Sequence, residues 1–219
     1  LHNLGLLEER CGAFQDSYPY LARARDLYDV LGESFEVAHT NVRLADLYYM
    51  TSGQPELAEA LCRAALPAFE AVADDTGMAW IYSVLGRACM GRRAQAEVER
   101  YFDLSYAHTV RSTDWHAQAW MYSVAGDFDL DFDHFARAEE RLLLGLRRSR
   151  ANGNAAAEVY ALLRLVSVLR LREAAQEGVT LAIAAADIAG RCYVLGYAAQ
   201  LAALVALWLM PAQSDQARL

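Results

Sequence analysis

The run best placed to do chemistry is Asp127-Phe128-Asp129-Leu130-Asp131-Phe132-Asp133-His134, with four carboxylates at alternate positions. Calcium loops place oxygen ligands in such an alternation. This run lacks the central glycine and terminal glutamate of a calcium loop, and large apolar residues separate its acids. It is read as a solvated or arginine-paired face, with Arg137, Arg141, Arg147, Arg148 and Arg150 downstream to compensate it. A docking patch for a basic partner is the second reading, and no metal is assigned. The histidines at 2, 39, 108, 116 and 134 are scattered, and neither His108 nor His116 has an obvious acid or thiol partner. The cysteines at 11, 62, 89 and 192 form no close pair of the zinc or redox kind. Each sits in an apolar helical stretch, where free cysteine serves as a small buried hydrophobe. No Gly-rich phosphate loop, HExxH or GxSxG motif occurs. The chain is therefore expected to be neither an enzyme nor a cofactor carrier.

The elements that must position these residues belong to a chain of 219 residues, 55% hydrophobic and 22% charged. That balance excludes a disordered tail. A net charge of −8 argues against nucleic acid as a partner of this segment, because phosphate binding needs a basic face. All 20 basic residues are arginine, a bias expected of a GC-rich bacterial genome rather than of arginine-based recognition. No signal peptide is seen, so a cytoplasmic location is expected. The helical pattern is already running at Leu1 and a new helix begins near Leu219, the expectation for a piece of a longer protein. Residues 192–210 carry no charge, about the length of a bilayer span. Their alanine content and the central Gln200 favour a buried helix over a membrane segment.

A repeat organises the chain. Residues 79–86 (AWIYSVLG) return as 119–126 (AWMYSVAG), with six of eight positions identical and 40 residues between them. Helix stop and start residues recur with a similar period at Gly32-Glu33, Asp74 to Gly77, Ser112 to Asp114, Asn152 to Asn154 and Gly190. A second set of breaks falls at Gly12, Gly53, Gly91, Asp131 to His134 and about Arg172. Each half-unit spaces its apolar residues at i, i+3, i+4 and i+7. The unit is a helical hairpin that cannot bury its apolar faces alone and must stack on its neighbours.

Large-small pairs on the first helices (Leu4-Gly5, Leu44-Ala45, Leu85-Gly86, Ala125-Gly126, Leu165-Val166) accompany small residues on the second. One second-helix column runs Ser17, Ala58, Val98, Ala138, Gly178, Ala217, at spacings of 41, 40, 40, 40 and 39. In these features the whole chain resembles the tetratricopeptide-repeat family, in a bacterial form with units near 40 rather than 34 residues. The proline that commonly follows the second helix is missing; Pro67 lies earlier, where a kink or early stop is expected. The resemblance implies an all-α, right-handed superhelical solenoid of antiparallel helix pairs, about 11 helices in a single domain. Repeats fall at about 1–34, 35–76, 77–114, 115–153 and 154–190, with a partial unit at 191–219.

The resemblance also implies that first helices line a concave groove. The columns facing it are His39, Trp80, Trp120, Tyr160, Ala199; Asn3, Arg43, Val84, Val124, Arg164; and Leu6, Asp46, Arg87, Asp127, Ser167. Candidate ligand-binding residues are therefore His39, Arg43, Asp46, Trp80, Arg87, Trp120, Asp127, Tyr160 and Arg164. For Trp80 and Trp120, packing between repeats stands as the equal reading. Tyr82 and Tyr122 fall in the inter-helix packing column. The family's clamp for a terminal carboxylate uses lysine and asparagine; here Arg43 and Arg87 are offset by Asp46 and Asp127, and a clamp is not expected. The implied role is a protein- or peptide-binding sensor or interaction module of a larger regulatory protein. Alternatives are a small-molecule sensor and an oligomerisation scaffold, the last because the apolar helix at about 191–210 invites a homodimer.

Overall fold

The punctuation at Gly32, Gly53, Asp74, Asp114, Asp131 to His134, Asn152 to Asn154 and Arg172 falls at helix ends, while Gly12 and Gly91 lie outside the described residues. The computed structural model describes residues 1–5, 14–90, 92 and 95–191. Within them run α1 (Phe14–Leu31), α2 (Ser34–Ser52), α3 (Pro55–Ala71), α4 (Asp75–Cys89), α5 (Gln95–Arg111), α6 (Trp115–Asp131), α7 (Phe135–Asn152), α8 (Ala155–Leu171) and α9 (Ala175–Arg191). Residues 2–5 are also helical, and no strand occurs among the described residues. Leu6, Ala199, Ala217, the partial sixth repeat and the apolar stretch expected to dimerise lie outside them.

Three first helices start on the same device, 40 residues apart. The carboxylate of Asp74 accepts from the Gly77 amide at 3.1 Å, Asp114 from Ala117 at 3.0 Å, and the Asn154 carbonyl from Ala157 at 3.1 Å. Each satisfies an amide that the helix itself leaves without a partner. Left-handed residues end the helices: Gly53 (φ 57°) and Gly153 (φ 68°) by type, Ala73 (φ 52°), Asp133 (φ 60°) and Glu173 (φ 59°) against the preference of a side chain. Two expectations are corrected. Helix α3 continues through Pro67 to Ala71, so the helix does not stop early there. Gly190 lies inside α9, which runs on to Arg191.

The chain divides into two compact units, Leu1–Met121 and Tyr122–Leu219. In the first, α1 to α5 pack in succession and α2 also touches α4. In the second, α8 packs against both α7 and α9. The all-α array of consecutive antiparallel helix pairs expected from the sequence is the fold observed.

Size complementarity sets the approach within each pair. A Cβ on Gly126 would lie 2.6 Å from Leu142 Cγ, and one on Gly5 would lie 2.7 Å from Leu21 Cγ. On Gly86 it would enter the ring of Phe102. These partners form a second-helix column: Leu21, Cys62, Phe102, Leu142, Ala182. Where the first-helix residue grows to Ala45 or Val166, the partner position shrinks to Cys62 or Ala182, and all four are buried. Between repeats, Gly77 likewise admits the ring of Phe69. The small second-helix column Ser17, Ala58, Val98, Ala138 and Gly178 is buried throughout.

Branching at Gly86 must displace Phe102 or push the helices apart. Gly86→Val is expected to lose about 1–3 kcal/mol. Adding Phe102→Leu should recover part of that loss in the same urea or thermal melts.

Candidate functional site

Each first helix turns one stripe away from its packed faces. His39, Arg43 and Asp46 on α2, Trp80 and Arg87 on α4, Trp120, Val124 and Asp127 on α6, and Tyr160, Arg164 and Ser167 on α8 are all half-buried. Val84, in the same stripe, is fully buried. The residues flanking these positions are mostly buried core, so the stripe is what the packing leaves uncovered.

In the first unit the stripe's charges find each other across neighbouring first helices. Arg87 donates to Asp46 Oδ1 at 2.5 Å and lies 5.4 Å from the centre of the Tyr49 ring. Arg43 lies 5.2 Å over the Trp80 ring. An arginine in that position over an aromatic face gains cation–π attraction. One face of Trp80 is thus already occupied. His39 has its ring 5.1 Å from that of His2 and 6.2 Å from that of Phe69. Burial first, then the charges of Arg43 and His2, hold His39 down at about 4, so it is neutral at physiological pH. Here the fold opens a cavity of about 160 Å³, lined by His39, Arg43, Asp46, Phe69 and Trp80 together with the helix-capping Asp74 and Asp114.

In the second unit Tyr160 donates to Asp127 Oδ2 at 2.8 Å. Arg164 Nε lies 3.0 Å from the other Asp127 oxygen and the guanidinium 5.2 Å over the Tyr160 ring. Burial, then Asp127, pushes the Tyr160 phenol above its ordinary range. The remainder of the acidic run is arginine-paired where it is buried. Asp129, 2% exposed, meets Arg137 at 2.6 Å and Arg141 at 3.0 Å. Those cations offset a carboxylate placed unfavourably at a helix C-terminus. Arg150, expected to help, instead pairs with Glu158 at 2.8 Å. Among the described residues no group of three His, Cys, Asp or Glu side chains could hold a metal ion.

Other expectations meet their geometry in packing. Tyr122 is buried, whereas Tyr82 is half-buried and stacked on His108 at 5.5 Å and Tyr101 at 6.4 Å. His108 does have an acid: its Nδ1 lies 2.7 Å from Asp75 Oδ1, which Arg111 also engages at 3.0 Å. That partner lies 33 residues away in sequence and is brought close only by helix stacking. Cys62 and Cys89 are buried, and burial raises the Cys62 thiol well above its ordinary range. Sequence reasoning missed Phe69, Asp74 and Asp114 as cavity-lining residues. The spacing of 40 between the two aspartates marked them as helix caps but not as neighbours of Trp80.

No family model and no curated protein matches the chain. Among solved structures it is similar to a signal transduction ATPase with numerous domains (STAND) from Pyrococcus horikoshii, which carries a tetratricopeptide repeat sensor. The TM-score is 0.67 at 15% sequence identity, over 94% of this chain and 32% of that one. The fold is a tetratricopeptide-like helical repeat. No helix among the described residues is long and apolar enough to cross a membrane.

Two outcomes test this geometry. A double-mutant cycle on Asp46→Ala and Arg87→Ala should return a coupling of about 1.5–3 kcal/mol in denaturant melts, the scale of a charged hydrogen bond. Between pH 6.5 and about 4, the unfolded chain takes up a proton at His39 that the folded chain declines. Stability should therefore fall as pH drops through that window, and His39→Gln should flatten that stretch of the Tm-against-pH curve.

Proposed function

We propose that this chain is a repeat sensor or interaction module, without catalysis of its own, that holds a peptide or protein segment along its first-helix face. We place it within a larger bacterial regulatory protein. One observation carries the reading: in each unit a half-buried first-helix stripe brings aromatic and charged side chains together, Arg43 over Trp80 in the first and Arg164 over Tyr160 in the second. An extended or helical segment laid on such a stripe meets an aromatic anchor with polar groups at its sides. The likeness to a protein that carries a repeat sensor supports the same reading at the level of fold. The cavity beside Trp80 favours a second reading, in which that part of the face takes a small molecule.

A peptide array probed with the full chain tests the first reading. Peptides selected on it should lose at least tenfold in affinity to Trp80→Ala in the first unit or Tyr160→Ala in the second, with each variant still melting cooperatively. Selected peptides that bind both variants as tightly as the parent chain would overturn it.

A further inference from the structure

The cavity between α2 and α4 holds charges of both signs that the protein itself does not neutralise. Asp46 is satisfied by Arg87. Arg43 is stacked on Trp80 and has no carboxylate partner among the described residues. Asp74 and Asp114 each spend one oxygen, Oδ1, on capping amides, and neither forms an ion pair among the described residues. His39, neutral at physiological pH, offers these acids no charge. Among the described residues the cavity therefore presents one half-buried guanidinium without a carboxylate partner and two carboxylates without a cationic partner, Asp74 half-buried and Asp114 at the exposed mouth. The surrounding unit adds to the imbalance, since residues 1–121 contain 17 acids and 10 arginines.

The two signs sit at different heights. Trp80, where Arg43 rests, follows the α4 cap Asp74 by six residues. That is about 9 Å along a helix axis at 1.5 Å per residue. The volume of about 160 Å³ is smaller than the roughly 300–1,000 Å³ of drug-sized pockets, so a single residue-sized molecule fills it.

We propose that this cavity binds a basic α-amino acid, with its carboxylate on the Arg43 guanidinium and its side-chain cation at Asp74 and Asp114. The molecule's net positive charge balances the cavity's net negative one. Its carbon chain spans the distance between the two poles along the apolar walls of Val42, Phe69 and Trp80. A simple anion would face two carboxylates, and a simple amine would leave Arg43 unanswered. The proposal rests on the small-molecule reading of the cavity; it shares Trp80 with the peptide face, whereas Asp74 and Asp114 belong to the cavity alone.

The test is thermal melting of the full chain with L-lysine, L-arginine or L-ornithine, against norleucine, which lacks the side-chain ammonium, and cadaverine, which lacks the carboxylate. A ligand of the folded state alone raises Tm with concentration. At least one of the three basic amino acids should raise it saturably, and norleucine should not. Asp114→Asn keeps the helix cap, because asparagine caps as well as aspartate, yet should weaken binding at least tenfold. Arg43→Gln should reduce the bound amino acid to the affinity of its decarboxylated amine. The proposal is overturned if none of the three basic amino acids shifts Tm at millimolar concentration, if norleucine acts as well as lysine, or if Asp114→Asn binds like the parent. A chain that ignores all three while its array-selected peptides still depend on Trp80 or Tyr160 would sink this site and leave the peptide face standing.

Discussion

How closely the two helices of a pair approach is limited by one residue on each, and the rest of the array depends on that contact. Glycine at 86 or 126 is a vacancy shaped for Phe102 or Leu142. Alanine and valine at 45 and 166 are answered by the smaller Cys62 and Ala182. The combined volume, more than either residue, is what the close-packed interior holds constant. The contact sets the rotation of each first helix as well as its distance. Once the small residue faces its partner, the residues six positions earlier, about a third of a turn around the helix, face outward. Those are His39, Trp80, Trp120 and Tyr160 with the charges one and two turns beyond them.

The outward stripe is only half exposed, so its charges cannot rely on water alone. Asp46 with Arg87 and Asp127 with Arg164 neutralise each other across neighbouring first helices, and Tyr49 and Tyr160 lend their ring faces to the arginines. Such pairs tie one repeat to the next and leave little free charge for a ligand. What remains uncompensated is concentrated where the helix caps of α4 and α6 approach Arg43. Charges of both signs around one small cavity make it the most specific feature of the face.

The acidic run shows how far sequence spacing reaches. Alternation of four aspartates invites a metal-loop interpretation, yet a helix does not present alternate residues on one side. Asp127 and Asp129 diverge by about 200° around α6, at 100° per residue. One joins the outward stripe with Arg164, and the other turns inward to Arg137 and Arg141. The expectation of arginine pairing was legible because the counter-ions follow within the next helix. The partnership of His108 with Asp75 was not, because its members belong to different helices. The capping role of Asp74, Asp114 and Asn154 was readable from type and position. The convergence of Asp74 and Asp114 with Trp80 was not.

What the sequence by itself determined is the periodic part: helix hairpins, their length near 40 residues, and the column of small residues at which they meet. Those features follow from local preference and from repetition, and both are written along the chain. Only the tertiary structure decided which charges cancel, which ring face each arginine covers, and that a cavity opens beside Trp80. Those outcomes depend largely on distances between residues on different helices, as in Asp46 with Arg87, 41 positions apart. A register fixed to the residue sets the helical face but not an ion-pair distance of about 3 Å.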